Sequence, residues 1–156
     1  MLRDQAVDAI LTSPLGRARR TAEIIGDQLG LAVRIANELT EIHHGDFAGL
    51  TDAEIEARFP GALRERSADK YRWRFPGGES YADADLRAAG FLSGLTARRP
   101  LIVAHEMIGR MVQRHLLGLD PASALATAQP NAVIYAIDPL TRTRRDLRPP
   151  RSTAAP

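Results

Sequence analysis

A chain of 156 residues with 44% hydrophobic and 26% charged positions and a net charge of +2 has the size and balance of one globular domain with a single core. It contains no cysteine, which excludes disulfides, thiolate metal sites and thiol nucleophiles together. No apolar run approaches the roughly 20 residues that span a bilayer. No charged-then-apolar leader precedes a small-residue cleavage site, so a cytoplasmic protein without a membrane partner is expected. From Pro139 onward five Arg face Asp146 alone, so the pI near 9.5 belongs mostly to the tail. That tail has no interleaved aromatics and no recognition-helix pattern, and a nucleic-acid partner is not expected.

Residues 2–7 read as the end of a helix leading into a strand at Ala9–Thr12. Ser13-Pro14 has the form of a helix start, with Ser as N-cap and Pro at the first helical position. Ala18, Ala22, Ile25 and Leu29 recur at three- and four-residue spacing and mark one buried face, and Gly30 supplies the stop. Residues 31–35 read as a short strand. A less regular middle follows, with helical pieces predicted at 51–58 and 62–67 and punctuation at Pro60-Gly61 and Pro76-Gly77-Gly78. Then come a helix at about 80–96, a strand at 101–104, a helix at 108–117 stopped by Gly118, and a strand at 131–137. Residues 1–140 read as one domain and 141–156 as an Arg/Pro-rich, frayed tail. Strands alternating with helices imply an α/β three-layer sandwich around a mainly parallel sheet. In such sheets functional groups gather beyond the carboxyl ends of the strands, where residues 13–17 and His105 both fall.

Arg17 sits in the first turn after the expected Ser13 cap. Helical side chains lean toward the N-terminus, so its guanidinium is aimed back over the strand end. There a planar fork and free amide N–H groups can hold a phosphate. Arg19 and Arg20 read as solvated helix positions. His105 ends an apolar strand and opens a helix, a place where a lone His is more often structural than catalytic. Glu41, His43, His44 and Asp46 are close in sequence, but adjacent residues diverge in space and no HExxH spacing is present, so a metal site is not expected. No GxxxxGK[ST] and no GxGxxG occurs, which removes the common nucleotide-phosphate cradles.

Four segments in order carry a family resemblance. They are Ser13-Pro14-Leu15-Gly16-Arg17-Ala18, the loop from Glu41 through Gly45 to Gly49-Leu50, Phe75-Pro76-Gly77-Gly78-Glu79-Ser80, and Val103-Ala104-His105-Glu106 followed by Arg110. Spanning about 8–138, they resemble the histidine phosphatase superfamily, the phosphoglycerate mutase-like phosphatases and mutases. The resemblance implies that fold, a small phosphorylated substrate and no cofactor. It implies Arg17 as a phosphate ligand and His105 as a second His of the phosphate pocket, stabilising charge on the transferring phosphoryl group. It implies Glu41 as proton donor to the leaving oxygen, since a carboxyl group beside a phosphate dianion is pushed toward its protonated form. His44 would face the substrate. Glu106 stands where the family has Gly, adding a side chain and a negative charge, and Arg110 reads as structural.

The family's Arg-His-Gly motif, whose His takes up phosphate, occurs nowhere in the chain. The resemblance puts that nucleophile strand between the strands at 9–12 and 101–104. Its absence leaves three explanations, of which rearrangement into a new stable fold ranks last, and it supports two expectations of function. One is a phosphatase or mutase shortened on its N-terminal side, before the Arg17 motif, and inactive as it stands. The other is a pseudoenzyme that binds phosphoesters without turnover.

Overall fold

The computed structural model describes residues 1–130 and 133–148. Its elements in chain order are β1 (Ala9–Thr12), α1 (Gly16–Leu29), β2 (Val33–Ile35), α2 (Asp52–Arg58), α3 (Ala62–Ala68), α4 (Tyr81–Ser93), β3 (Pro100–Val103), α5 (Glu106–Leu117), α6 (Pro121–Ala126), β4 (Ile134–Asp138) and β5 (Thr143–Leu147). Strands β2, β1 and β3 form a parallel sheet in that order, with β1 central, while β4 and β5 form a separate antiparallel hairpin.

Alternation along β1 sorts its side chains to opposite faces. Ile10 packs with Ala22 of α1 and Leu101 of β3 in one apolar cluster. Leu11 belongs to the other, with Ala84, Ala88 and Phe91 of α4 and Ile108, Met111 and Val112 of α5. Helices on both faces of a parallel sheet make the expected α/β sandwich. Between α4 and α5, Asp85 is buried and binds Arg114 at 2.8 Å, His115 at 2.9 Å and the Tyr71 hydroxyl at 2.7 Å. Burial and the Asp85 contact push the Tyr71 phenol up to about 12.

Three local expectations change. Ser13 does not cap α1; the helix starts at Gly16 with Leu15 at the N-cap position and no side-chain cap. Residues 2–7 hold a 3-10 turn at Arg3–Gln5 rather than a helix end. Part of the expected tail is ordered structure: 143–147 pairs along β4, Leu147 is buried, and Arg144 lies over the Tyr135 ring at 4.5 Å and donates to Gln113 Oε1 at 3.0 Å. The rest of the tail, 149–156, lies outside the described residues, as do 131 and 132 of the last expected strand. Helix α6 was not anticipated, although Asp120 caps it and Pro121 occupies its first turn.

The place implied for a nucleophile strand also changes. β1 and β3 pair directly, from Ala9 against Pro100 to Thr12 against Val103, and nothing can lie between them. Among the described residues β3 has no partner on its other edge. Ile134 of the hairpin joins the cluster that holds Leu101 and Val103.

Candidate active site

Because β1 and β3 run in register to their carboxyl ends, the residues that leave them come side by side. Ser13 Oγ lies 2.7 Å from His105 Nε2. The Ser13 N–H donates to the Val103 carbonyl at 3.0 Å and the Thr12 hydroxyl donates to the same oxygen at 3.2 Å, tying the strand ends together. His105 occupies the N-cap position of α5, but its side chain does not cap the helix.

Glu41 does that instead. Its carboxylate accepts from the Met107 and Ile108 N–H groups, each at 3.1 Å, and from its neighbour Ile42 at 2.9 Å. A negative group is favoured at a helix N-terminus, where unpaired amides and the helix dipole converge. The contact also fastens the Glu41 loop to the strand end that presents His105.

The loop is braced from below. Arg87 donates to the Glu38 and Thr40 carbonyls at 2.6 and 2.8 Å and pairs with Glu79 at 2.7 Å. Glu79 in turn accepts from the His43 N–H at 3.0 Å, and its own N–H donates to the His43 carbonyl at 3.0 Å. Gly45 and Gly78 meet here with their backbones in contact, so a Cβ on either would collide with the other strand of the loop. The Pro-Gly-Gly-Glu turn is thus the support of the Glu41 loop.

Arg17 is exposed on the first turn of α1, and no carboxylate among the described residues pairs with it. Its charge reaches His105. Burial holds the His105 ring below its ordinary value of 6.5, Arg17 lowers it further, and Glu41 opposes both. His44 is held low as well, chiefly by burial, with Glu41 opposing and Arg66 and His43 adding. Arg17 and Glu41 therefore both act on the His105 ring at the strand ends, and Glu41 acts on His44 of its own loop as well. His43 is exposed, and His115 is committed to Asp85, away from this point. Among the described residues no group of three or more His, Cys, Asp or Glu is placed to hold a metal ion.

Glu106 is exposed and pairs with Arg110 at 2.6 Å, while Arg110 also donates to the Leu125 carbonyl at 2.6 Å. Arg110 accordingly braces α5 against α6. The sequence did not single out two cations, Arg66 and Lys70, and the charge of Arg66 acts on His44. His44 and Arg66 share the Phe75 ring, at 4.6 Å between ring centroids and 5.3 Å from the guanidinium carbon. Arg66 also donates to the Tyr81 hydroxyl at 3.1 Å, and Lys70 Nζ lies 5.9 Å from the Tyr81 ring centre. Partial burial, then the charges of Arg66 and Arg110, hold Lys70 below its ordinary value. The signal for Lys70 was its isolation, as the only Lys in a chain otherwise supplied with Arg.

The lowered histidines make a pH prediction. An unfolded chain takes up protons on His44 and His105 near 6.5, where the folded chain resists them. Stability from these groups is therefore full above 6.5 and is lost as pH falls below that value through the lowered values of the folded chain. Carboxylates held low, such as Asp83 and Glu54 in their capping boxes, act in a separate window around and below pH 4. The melting temperature is expected to fall between about pH 7.5 and about pH 5.5, and a His44→Gln, His105→Gln double variant should flatten that decline. An equal decline in the double variant would show that the two rings are not its source.

A parallel sheet flanked by helices on both faces, shared with solved structures, places the chain in the phosphoglycerate mutase-like α/β class. The sequence model of the histidine phosphatase superfamily (branch 1) matches residues 1–147, and the chain belongs to that family. It is 41% identical over 91 residues to glucosyl-3-phosphoglycerate phosphatase of Mycobacterium tuberculosis, covering 58% of this chain and 40% of that protein. It is 32% identical over 109 residues to 6-phosphofructo-2-kinase/fructose-2,6-bisphosphatase of Gallus gallus, covering 69% and 22%. Among solved structures, the mycobacterial glucosyl-3-phosphoglycerate phosphatase in complex with inorganic phosphate superposes with a TM-score of 0.70 at 30% identity, covering 95% of this chain and 78% of that one. The chain thus matches about two-fifths of the mycobacterial relative's length and about a fifth of the avian one's.

Proposed function

We propose that this chain carries the phosphate-binding and proton-donating parts of a phosphomonoester phosphatase or mutase that works through a phosphohistidine, with the nucleophilic His on a strand these 156 residues do not contain. The observation that supports this reading most is that His105 and the Glu41 carboxylate meet at the head of α5, at the end of β3, with the charge of Arg17 acting on the same ring. Arg17 and His105 hold the phosphoryl oxygens, and Glu41 gives a proton to the leaving oxygen. Membership in the family adds to this, since the mycobacterial relative is a phosphatase and the avian one is named in part as a bisphosphatase. None of the chain's four His is free for attack: His43 and His44 stand on the acid's own loop, His105 is engaged by Ser13, and His115 by Asp85. The open edge of β3, which runs up to His105, is where an added strand would present its nucleophile. Lack of an Arg-His-Gly equally suits a non-catalytic phosphoester binder, which would bind phosphate but gain nothing from an added strand.

Arg66 and Lys70 favour a substrate with a second anionic group, a phosphate or carboxylate. Neither has a carboxylate partner within an ion-pair distance among the described residues, and Arg66 Nε is buried without an acceptor. In the complete enzyme, Arg66→Ala with Lys70→Ala should raise KM for a doubly anionic phosphoester on the order of 10–100-fold with kcat kept, the loss expected from one or two charged hydrogen bonds. A simple alkyl phosphate should be spared. Equal effects on both substrates would remove the second subsite.

A further inference from the structure

The structure assigns Ser13 the task of fixing His105 as an Nδ1–H donor, which makes Ser13 a positioning residue for the oxyanion pocket. The assignment rests on the reading of His105 as a phosphate-pocket residue.

Ser13 looks in sequence like a helix cap, yet α1 begins only at Gly16, and the hydroxyl is not spent on that helix. Ser13 is fully buried. Its backbone is also engaged: the N–H donates to Val103, and the carbonyl, at 3.3 Å, shares the Thr12 hydroxyl proton with the Val103 carbonyl. That leaves Oγ, which has one proton and two lone pairs. The Leu15 N–H, at 3.2 Å, takes one lone pair. No carbonyl or carboxylate among the described residues accepts the Ser13 proton, and His105 Nε2, at 2.7 Å, is the acceptor within reach.

A ring nitrogen that accepts a hydrogen bond carries no proton. In a neutral imidazole the proton is then on the other nitrogen. Burial and the Arg17 charge keep the His105 ring toward its neutral form while the pocket is empty. Nδ1–H makes no hydrogen bond with the described residues, so it is the donor left to meet an oxyanion. The hydroxyl also serves the charged ring. When a phosphoryl dianion draws a second proton onto the imidazole, Nε2 becomes a donor and the remaining Ser13 lone pair accepts it. The hydroxyl hydrogen then rotates away from the ring and gives up the one acceptor it has among the described residues. The ring keeps one orientation through both protonation states, which is what a transition-state donor needs.

The test reads the ring nitrogens of His105 directly, by long-range proton–nitrogen correlation on the chain without phosphate. The expected spectrum shows Nδ1 protonated and Nε2 bare. In Ser13→Ala the ring should populate the other tautomer, and inorganic phosphate should bind about tenfold more weakly, the size of one hydrogen bond. Ser13→Thr keeps the hydroxyl and should keep the wild-type tautomer. An Nε2–H ring in the wild type overturns the assignment whatever the variants do, and so does an unchanged tautomer in Ser13→Ala. Should Ser13→Ala not fold, the wild-type and Ser13→Thr spectra decide. A chain with the Nδ1–H ring that nevertheless binds no phosphate would overturn the phosphate-pocket reading while leaving the hydroxyl–imidazole pairing in place.

Discussion

Joined to a segment that adds an Arg-His-Gly strand along the free edge of β3, the chain is expected to hydrolyse phosphomonoesters without added metal, and by itself to release no phosphate. In the joined protein Glu41→Gln should slow hydrolysis of an alkyl phosphate on the order of 10²–10⁴-fold, the usual contribution of a positioned general acid. An activated aryl phosphate should lose far less, because its leaving oxygen departs without a proton. That contrast matters, since Glu41 also caps α5. Gln keeps one acceptor oxygen and loses the charge, which costs about 0.5–2 kcal/mol as for other lost caps. A folding defect would depress both substrates alike, whereas loss of the acid separates them. Equal rates on the alkyl phosphate, with chemistry limiting, would take Glu41 out of the mechanism. Turnover by the chain alone that disappears in His105→Ala would make His105 the nucleophile.

The fold was legible where local chemistry and tertiary packing agree. Thr51 and Ser80 head α2 and α4 with full capping boxes, and Gly30 and Gly118 end α1 and α5 at positive φ. Ser13-Pro14 had the same appearance and was misleading. Its hydroxyl finds a better partner across the sheet in His105, a contact between residues 92 positions apart that no local pattern carries. β5 was hidden for a similar reason. Its alternation is of Arg and polar residues, and only Leu147 is buried, so the strand is held by pairing to β4 and by Arg144 stacked on Tyr135.

The site divided along the same line. Arg17, Glu41 and His105 each lie in a motif with its own signature, and the structure sets Glu41 against the helix that His105 opens, with the charge of Arg17 acting on the His105 ring. How they are held was invisible. The Glu41 carboxylate reaches helix amides some 66 residues away, and the Arg87–Glu79 brace joins α4 to the loop through carbonyls that have no sequence signature. Arg66 and Lys70 follow from the way α3 and Phe75 pack against Tyr81, which periodicity does not reveal. The order of the strands was misjudged because a resemblance to motifs fixes which strands exist and not which of them pair.

The central claim is that Arg17 and His105 form one oxyanion pocket. The most direct measurement is the melting temperature of the chain with and without phosphate or vanadate. An anion bound to the folded state alone adds RT ln(1 + [L]/Kd), about 2.7 kcal/mol at a hundredfold excess over Kd. Arg17→Ala should abolish that rise, because the charge-assisted pair is lost. Arg19→Ala, which removes only a surface pair with Glu23 at 3.7 Å, should leave it intact. A phosphate-dependent rise that survives Arg17→Ala would contradict the account.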